Sequence, residues 1–155
     1  MVAFTFNSVN RRWRTLSFPS TLYLWPITDL LLADLPKDLH PDLHIGLQEA
    51  LVNAAKHGNC LDPSKTIRVQ YCLTQRDCWW VITDEGNGFA PPLTCPTRVS
   101  FLDKPDDSCE CGRGLYILHQ VFDHVRWNDA GTELTLGKQL RKSIRPLLLA
   151  EWQLG

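Results

Sequence analysis

The sequence lacks an apolar run long enough to cross a membrane, and it lacks an excess of basic charge. No stretch of about 18 consecutive apolar residues, the minimum for a transmembrane helix, occurs in its 155 residues. It has 16 basic and 17 acidic residues, which leave a net charge of −1. Nucleic-acid binding through bulk electrostatics requires a clustered basic surface instead. We therefore expect no membrane and no direct nucleic-acid partner, and any anion site must be local.

The six cysteines have neither the spacing of a zinc site nor a secretory context. Cys109-Glu-Cys111 lacks the two-residue gap that is usual between zinc ligands, and no second pair of ligands follows it. The N-terminal segment places its arginines after a weakly apolar part, whereas a signal peptide has its basic residues first. These features predict reduced thiols and a cytoplasmic protein.

Composition predicts one ordinary globular domain. With 44% hydrophobic and 21% charged residues, the chain has enough apolar mass for a single core. We interpret residues 1–155 as one domain in which residues 138–155 form a C-terminal extension. That extension is basic and then apolar, and its apolar part is expected to form a short terminal helix.

Apolar periodicity predicts the order strand, helix, helix, strand, strand, loop, helix, strand, strand. Asp42 is the expected N-cap of the second helix, and the proline-rich segment 86–112 is the expected long loop. This order predicts an α+β fold with helices on one face of a mixed, mostly antiparallel sheet. The helices are expected at residues 22–35, 43–57 and 114–122, and the strands at 14–18, 67–73, 79–83, 124–128 and 132–136.

One side of the second predicted helix is polar, although the helix is otherwise suited to core packing. Because a helix advances about 100° per residue, Glu49, Asn53, Lys56 and His57 fall along one stripe, beside an apolar stripe. A carboxylate, a carboxamide and an ammonium in this order can supply a general base, a ligand for Mg²⁺ and a phosphate partner. A solvated face is the alternative interpretation, and this helix alone leaves both open.

Two glycine-bearing motifs follow in the sequence. Asp84-Glu-Gly86-Asn-Gly88-Phe89 comes after a predicted strand, so a carboxylate that can accept from an exocyclic amine stands at a sheet edge, where glycines allow a ligand to approach. Gly112-Arg113-Gly114-Leu115 opens the third helix, whose free amides and dipole favour phosphate. Each motif alone has a simpler interpretation, as a turn or a helix start. Because both motifs follow the polar helix in the sequence, the three segments together favour a nucleotide site.

In these motifs the chain resembles the GHKL ATPase superfamily, specifically its anti-sigma-factor serine/threonine-protein kinases. Residues 49–58 resemble the N box, residues 84–89 the G1 box, and residues 112–115 the G2 box. Gly131-Thr132 resembles the threonine site that closes the adenine pocket. The resemblance covers roughly residues 14–140. It implies a two-layer α/β sandwich of the Bergerat type, ATP and Mg²⁺ as cofactors, and a homodimer.

The resemblance also implies a role for each matched residue. Glu49 would be the catalytic general base, Asn53 the ligand of Mg²⁺, and Asp84 the acceptor of the adenine amine. The other nucleotide-binding residues that it implies are Lys56, His57, Gly86, Gly88, Phe89, Gly112, Arg113, Gly114, Leu115 and Thr132.

Two main functions of different classes are compatible with these residues. The resemblance implies a kinase that phosphorylates a serine or threonine of an anti-anti-sigma (STAS-type) protein, with a sigma factor as a further partner. The residues before Gly112 are acidic, however, where related kinases carry an arginine. A non-catalytic switch that binds its partner according to the bound nucleotide therefore stays open. A redox latch formed by Cys95, Cys109 and Cys111 is a third hypothesis.

Overall fold

A computed structural model describes residues 12–88 and 110–140, with side chains from residue 113 onward in the second range. The strands are β1 (Arg14–Pro19), β2 (Thr66–Leu73), β3 (Asp77–Thr83), β4 (His124–Trp127) and β5 (Glu133–Gln139). The helices are α1 (Trp25–Leu32), α2 (His40–Val52) and α3 (Glu110–Val121), with a 3-10 turn at Lys37–Leu39 and a π-helix at Asn53–Gly58. The strands form one sheet in the order β1-β2-β3-β5-β4, and every pairing among them is antiparallel. The three helices pack on this sheet, which confirms the predicted α+β fold.

The core lies between the helices and one face of the sheet. Along β3, Cys78, Trp80 and Ile82 are buried and alternate with more accessible residues, as the two-residue period of a strand requires. The apolar stripe that periodicity predicted on the second helix is buried in full, at Leu43, Leu47, Ala50, Leu51 and Ala54. Burial of a leucine stabilises the fold by about 1.5–3 kcal/mol, so this stripe fixes which side of α2 faces the sheet.

The start of α2 differs from the prediction. We expected Asp42 to cap a helix from residue 43, but α2 begins at His40. Its N-cap is Leu39, and no side chain caps it. Pro41 lies in its first turn, where the missing N–H has no helical partner to lose. Pro41 is therefore compatible with the helix itself. Pro26 likewise lies in the first turn of α1.

The end of α2 also differs, because the chain widens into the π-helix. The Asn59 N–H donates to the Ala54 carbonyl oxygen over 2.8 Å, which is the five-residue spacing of a π-helix. Cys60 and Leu61 then take left-handed φ angles of 54° and 58°. The assumption of 100° per residue thus fails beyond Asn53, and it fails within the motif that carries the predicted site residues.

The third helix begins earlier than predicted. It starts at Glu110, so Gly112 and Gly114 lie inside it, whereas we placed them at a loop-to-helix junction. A glycine costs about 1 kcal/mol in a helix, and packing of Leu115 and Leu118 against the core offsets this cost.

Several predictions fall on the remaining parts of the chain. β5 continues to Gln139, so the first two residues of the proposed extension 138–155 belong to the sheet. Phe89, Cys95, Cys109 and the predicted terminal helix lie outside the described residues. Within the described residues, Cys60, Cys72 and Cys78 are not in disulfide bonds, and burial raises the pKa of Cys78 to about 12. No helix in those same ranges is long and apolar enough to span a membrane.

Candidate functional site

A cavity opens beside the end of β3, between the sheet and the helices. It has about 590 Å³ of space outside the protein atoms, part of it open to solvent. The helical side of its wall consists of Ala50, Asn53, Ala54, His57, Gly58 and Leu115. The sheet side consists of Ile82, Asp84, Trp127, Gly131, Thr132, Glu133 and Leu134. Five predicted site residues from four separate sequence segments therefore meet at one cavity: Asn53, His57, Asp84, Leu115 and Thr132.

Asp84 follows β3 and is held in place by the main chain. Its N–H donates to the Thr132 carbonyl oxygen over 3.0 Å, and its Oδ1 accepts from the Gly86 N–H over 2.8 Å. Partial burial raises the pKa of the Asp84 carboxyl, while the Gly86 amide and the charge of Lys65 act in the opposite direction. The Gly86 N–H uses one lone pair of Oδ1, so the carboxyl group keeps acceptor capacity for a ligand, foremost at Oδ2.

The glycines around Asp84 are required mainly by the protein's own packing. A β-carbon on Gly86 would run into the Gly58 carbonyl, and one on Gly88 would run into the Ala130 carbonyl. Gly88 also has a left-handed φ of 92°. In the structure Gly86 lets the end of the π-helix touch the Asp84 turn. That these glycines also make room for a ligand stays a prediction.

Glu49 and Asn53 face the early part of α3. A β-carbon on Gly114 would lie 3.2 Å from Glu49 Oε2 and 3.6 Å from Asn53 Nδ2. A larger residue at position 114 would therefore press on both side chains. Glu49 is half-buried and is not part of the cavity wall, whereas Asn53 is part of it. The predicted base and metal ligand are thus neighbours, as the sequence indicated.

Thr132 is positioned by the turn between β4 and β5. Asn128 Oδ1 accepts from the Thr132 N–H at 2.9 Å and from the Glu133 N–H at 3.2 Å, and Asn128 Nδ2 donates to Thr132 Oγ1 at 3.3 Å. We did not single out Asn128, although an asparagine that opens an Asn-Asp-Ala-Gly segment is a recognisable turn signal. Trp127, which immediately precedes it, lies in the cavity wall and was also missed.

The other predicted residues on the helices differ in their position relative to the cavity. His57 borders the cavity although it is largely exposed, whereas Lys56 is exposed and does not line it. Arg113 is exposed on α3. Gly112 lies within α3, and Phe89 is outside the described residues. The phosphate contacts that the resemblance implied for these positions stay predictions.

The residues present fit ATP and Mg²⁺ in chemical type. Ala50, Ala54, Ile82 and Leu134 provide an apolar wall of the kind that a planar base needs, with the Asp84 carboxylate beside it. The glycine at position 114 keeps space open above a carboxylate and a carboxamide, and side-chain oxygens of these groups are ligands that Mg²⁺ prefers.

The cavity is an apolar cleft between a helical layer and an antiparallel sheet. An acid lies at a strand end and a carboxamide on the facing helix, and this arrangement defines a nucleotide-binding domain. Residues 27–138 match the family described as the histidine kinase-like ATPase domain, and the chain belongs to that family. It is an ATP-binding domain, and members of the family generally bind Mg²⁺ with the nucleotide. No curated protein matches the chain. The superfamily that the motifs indicated is thereby confirmed.

Proposed function

We propose that this protein is a cytoplasmic kinase of the anti-sigma-factor type, which transfers the γ-phosphate of ATP to a serine or threonine of a partner protein. The observation that carries this proposal is the contact of Glu49 and Asn53 with the position of Gly114. It places a candidate proton acceptor directly beside a candidate metal ligand.

The spacing along α2 supports this arrangement. Glu49 lies nine residues before Gly58, which touches Asp84. Nine α-helical residues would rise roughly 13 Å, and the wider π-helix from Asn53 to Gly58 shortens this span. The separation remains comparable to the length of a nucleoside triphosphate. A base bound at Asp84 would therefore place its terminal phosphate near Glu49.

The chemistry assigned to the chain's own residues follows from this placement. Asn53 Oδ1 would hold Mg²⁺, which when bound neutralises charge on the β- and γ-phosphates. Glu49 accepts the hydroxyl proton of the partner's serine as the serine oxygen bonds to the γ-phosphorus. The bond from that phosphorus to the bridging oxygen breaks, and ADP leaves with the electron pair. Positioning and electrostatics supply most of the catalysis, as in phosphoryl transfer generally.

We propose an anti-anti-sigma (STAS-type) protein as the phosphorylated partner, a sigma factor as a second partner, and a homodimer as the functional form. The support for all three is the ordered resemblance of the motifs at residues 49–58, 84–89, 112–115 and 131–132 to the anti-sigma kinases.

The test uses the partner that co-purifies with the full chain. We expect the wild type with ATP and Mg²⁺ to produce phosphoserine or phosphothreonine on that partner, detected by mass spectrometry. Glu49→Gln keeps the shape of the side chain but cannot accept the proton, so phosphorylation should fall by roughly a hundredfold or more, with ATP affinity unchanged within about twofold. Asp42→Asn, which removes an exposed acid of the same helix, is the matched control and should retain activity.

The switch hypothesis predicts a different result. A nucleotide-gated binding module captures its partner differently in ATP and ADP, and needs no proton acceptor. If the wild type forms no phosphorylated partner, and Glu49→Gln still captures it in a nucleotide-dependent way, the kinase proposal is wrong and the switch is right.

A further inference from the structure

Asn59, the residue directly after the π-helix, is fully buried and joins four segments of the chain. Its Oδ1 accepts from the Glu85 N–H at 2.8 Å. Its Nδ2 donates to Ser20 Oγ at 2.7 Å and to the Thr66 carbonyl oxygen at 3.2 Å. Its main-chain N–H donates to the Ala54 carbonyl oxygen at 2.8 Å. The side chain therefore links the end of the π-helix with the end of β1, the start of β2 and the turn after β3.

The orientation of the Asn59 carboxamide is determined by this network. Ser20 Oγ donates to the Lys65 carbonyl at 3.2 Å, so towards Asn59 it acts as an acceptor, and the Thr66 carbonyl can only accept. If the amide were flipped, its NH₂ group would face the Glu85 N–H, and two donors would meet. The oxygen is thus held towards Glu85, and a buried polar group with all its partners is rigid.

The bond to Glu85 bears directly on the acid of the cavity. Asp84, Glu85 and Gly86 are consecutive, and each of their N–H groups has an acceptor: Thr132 O, Asn59 Oδ1 and Asp84 Oδ1 respectively. Glu85 Oε2 also accepts from the Thr66 N–H at 2.5 Å. Of the three N–H acceptors, the Asn59 oxygen is the one that belongs to the segment carrying Asn53 and His57.

We infer that Asn59 is a positioning residue for recognition of the base. Its carboxamide oxygen fixes the Glu85 amide, and thereby the Asp84 carboxyl, relative to the helix that carries the phosphate-side residues. This inference rests on the proposed placement of the adenine amine at Asp84. Asn59 does not line the cavity, so it acts through the Asp84 turn.

The experiment compares the affinities for ATP and for purine riboside 5′-triphosphate, which lacks the exocyclic amine. A hydrogen bond to a charged group gives the wild type a preference for ATP of roughly tenfold or more. Asn59→Ala should reduce this preference to about twofold or less, because the Glu85 amide loses its acceptor and the Asp84 turn becomes mobile.

Two other variants separate recognition from stability. Asn59→Asp keeps an oxygen for the Glu85 N–H but loses the donors to Ser20 and Thr66. Ser20→Ala removes a partner of Nδ2 and leaves the Glu85 bond intact. Both should melt at a lower temperature than the wild type and still prefer ATP, whereas a purely structural role would make loss of preference follow loss of stability.

Each outcome has a distinct meaning. If the wild type binds both nucleotides equally, the placement of adenine at Asp84 fails, and the inference fails with it. If the wild type prefers ATP and Asn59→Ala prefers it equally, or if folded Asn59→Asp loses the preference, the inference alone is overturned. Hydrogen exchange of the Glu85 amide in the nucleotide-free wild type needs no variant: it should be slow, and exchange at the rate of an unprotected amide would also overturn the inference.

Discussion

Gly58 and Asp84 are in direct contact: a β-carbon on Gly58 would lie 2.5 Å from Oδ2 and 2.7 Å from Oδ1 of Asp84. The last residue of the π-helix therefore determines where the acid at the end of β3 can stand. No real β-carbon tolerates such distances, so any side chain at position 58 must displace the carboxyl group.

Gly58→Ala tests this contact. The methyl group should push the Asp84 carboxyl out of position, and we expect ATP affinity to fall by roughly tenfold or more, as after loss of a hydrogen bond to a charged group. Calorimetric titration measures the affinity. Gly137→Ala is the matched control, because its β-carbon would lie 2.6 Å from the Trp79 ring, on β5 and outside the cavity wall. It should lose about 1–3 kcal/mol of stability and retain ATP affinity. Equal losses of affinity in both variants would contradict the prediction.

Asp84→Asn should change which base the cavity prefers. Because Oδ1 accepts from the Gly86 N–H, the substituted amide is expected to keep its oxygen there and to place NH₂ where Oδ2 stood. A donor at that position repels the adenine amine and favours a base with a carbonyl at the same place. We expect the ratio of ATP to inosine triphosphate affinity to fall by roughly tenfold to a hundredfold. A uniform loss for both nucleotides would show that the base lies elsewhere.

The same variant should also change how stability depends on pH. The pKa of Asp84 is raised in the folded state, mainly by burial, so the ionised carboxylate destabilises the native protein relative to the protonated form. The stabilisation that the protonated Asp84 carboxyl gives the folded state is fully present below the unfolded pKa of about 3.9. It is lost as the pH rises through the pKa of the folded state. Asp84→Asn should therefore be more stable than the wild type at pH 7 in the absence of nucleotide, and the difference should shrink towards pH 4. Urea denaturation across this range measures it, and a difference that grows on acidification would have the wrong sign.

Asn53→Ala should remove the part of ATP affinity that depends on the metal. In the wild type, ATP should bind more tightly with Mg²⁺ than with a chelator present. The variant should bind with nearly the same affinity in both conditions, because the carboxamide oxygen is gone. Gln48→Ala, a substitution of another amide on α2 that does not line the cavity, should retain the metal dependence. If ATP affinity still depends on Mg²⁺ in Asn53→Ala, Asn53 is not the ligand of the metal.

Gly114→Ala should separate nucleotide binding from chemistry. The new β-carbon would lie 3.2 Å from Glu49 Oε2, a distance at which a flexible carboxylate moves aside at little cost to folding. Phosphorylation of the partner should fall by roughly threefold to tenfold, because catalysis is sensitive to small displacements of a catalytic group. Adenosine affinity should stay the same. Tyr116→Ala, at an exposed position of the same helix, is the control, and identical activities in the two variants would contradict a catalytic position for Glu49.

The sequence predicted those features that depend on a repeating pattern. The buried stripe from Leu43 to Ala54 and the alternation along β3 follow from the periods of helix and strand, and core packing enforces both. Asp84, Asn53 and Gly114 could be found because each belongs to a short motif. The motifs thus identified these residues, although the bounds of the helices that carry Asn53 and Gly114 were wrong.

The features that the sequence did not predict depend on contacts between distant residues. Asn59 bonds to Ser20, 39 positions away, and to Glu85, 26 positions away, so no local pattern distinguishes it from an ordinary residue after a helix. The π-helix was missed because a regular 100° step was assumed. The start of α3 was misplaced because a glycine pair suggests a helix boundary unless the packing of Leu115 and Leu118 is known.

The cavity draws its wall from two layers, with Asp84 and Thr132 on the sheet side and Asn53 and Leu115 on the helical side. Between these layers the core is made mainly of apolar contacts, and the hydrophobic effect that favours them is non-directional. A nucleotide that hydrogen-bonds to both sides would add directional contacts between the two layers. We expect the bound nucleotide to restrict movement of the helices relative to the sheet. The largest gain in protection from amide hydrogen exchange should therefore appear at residues near both ends of the ligand, and not in the core, which already holds the layers together.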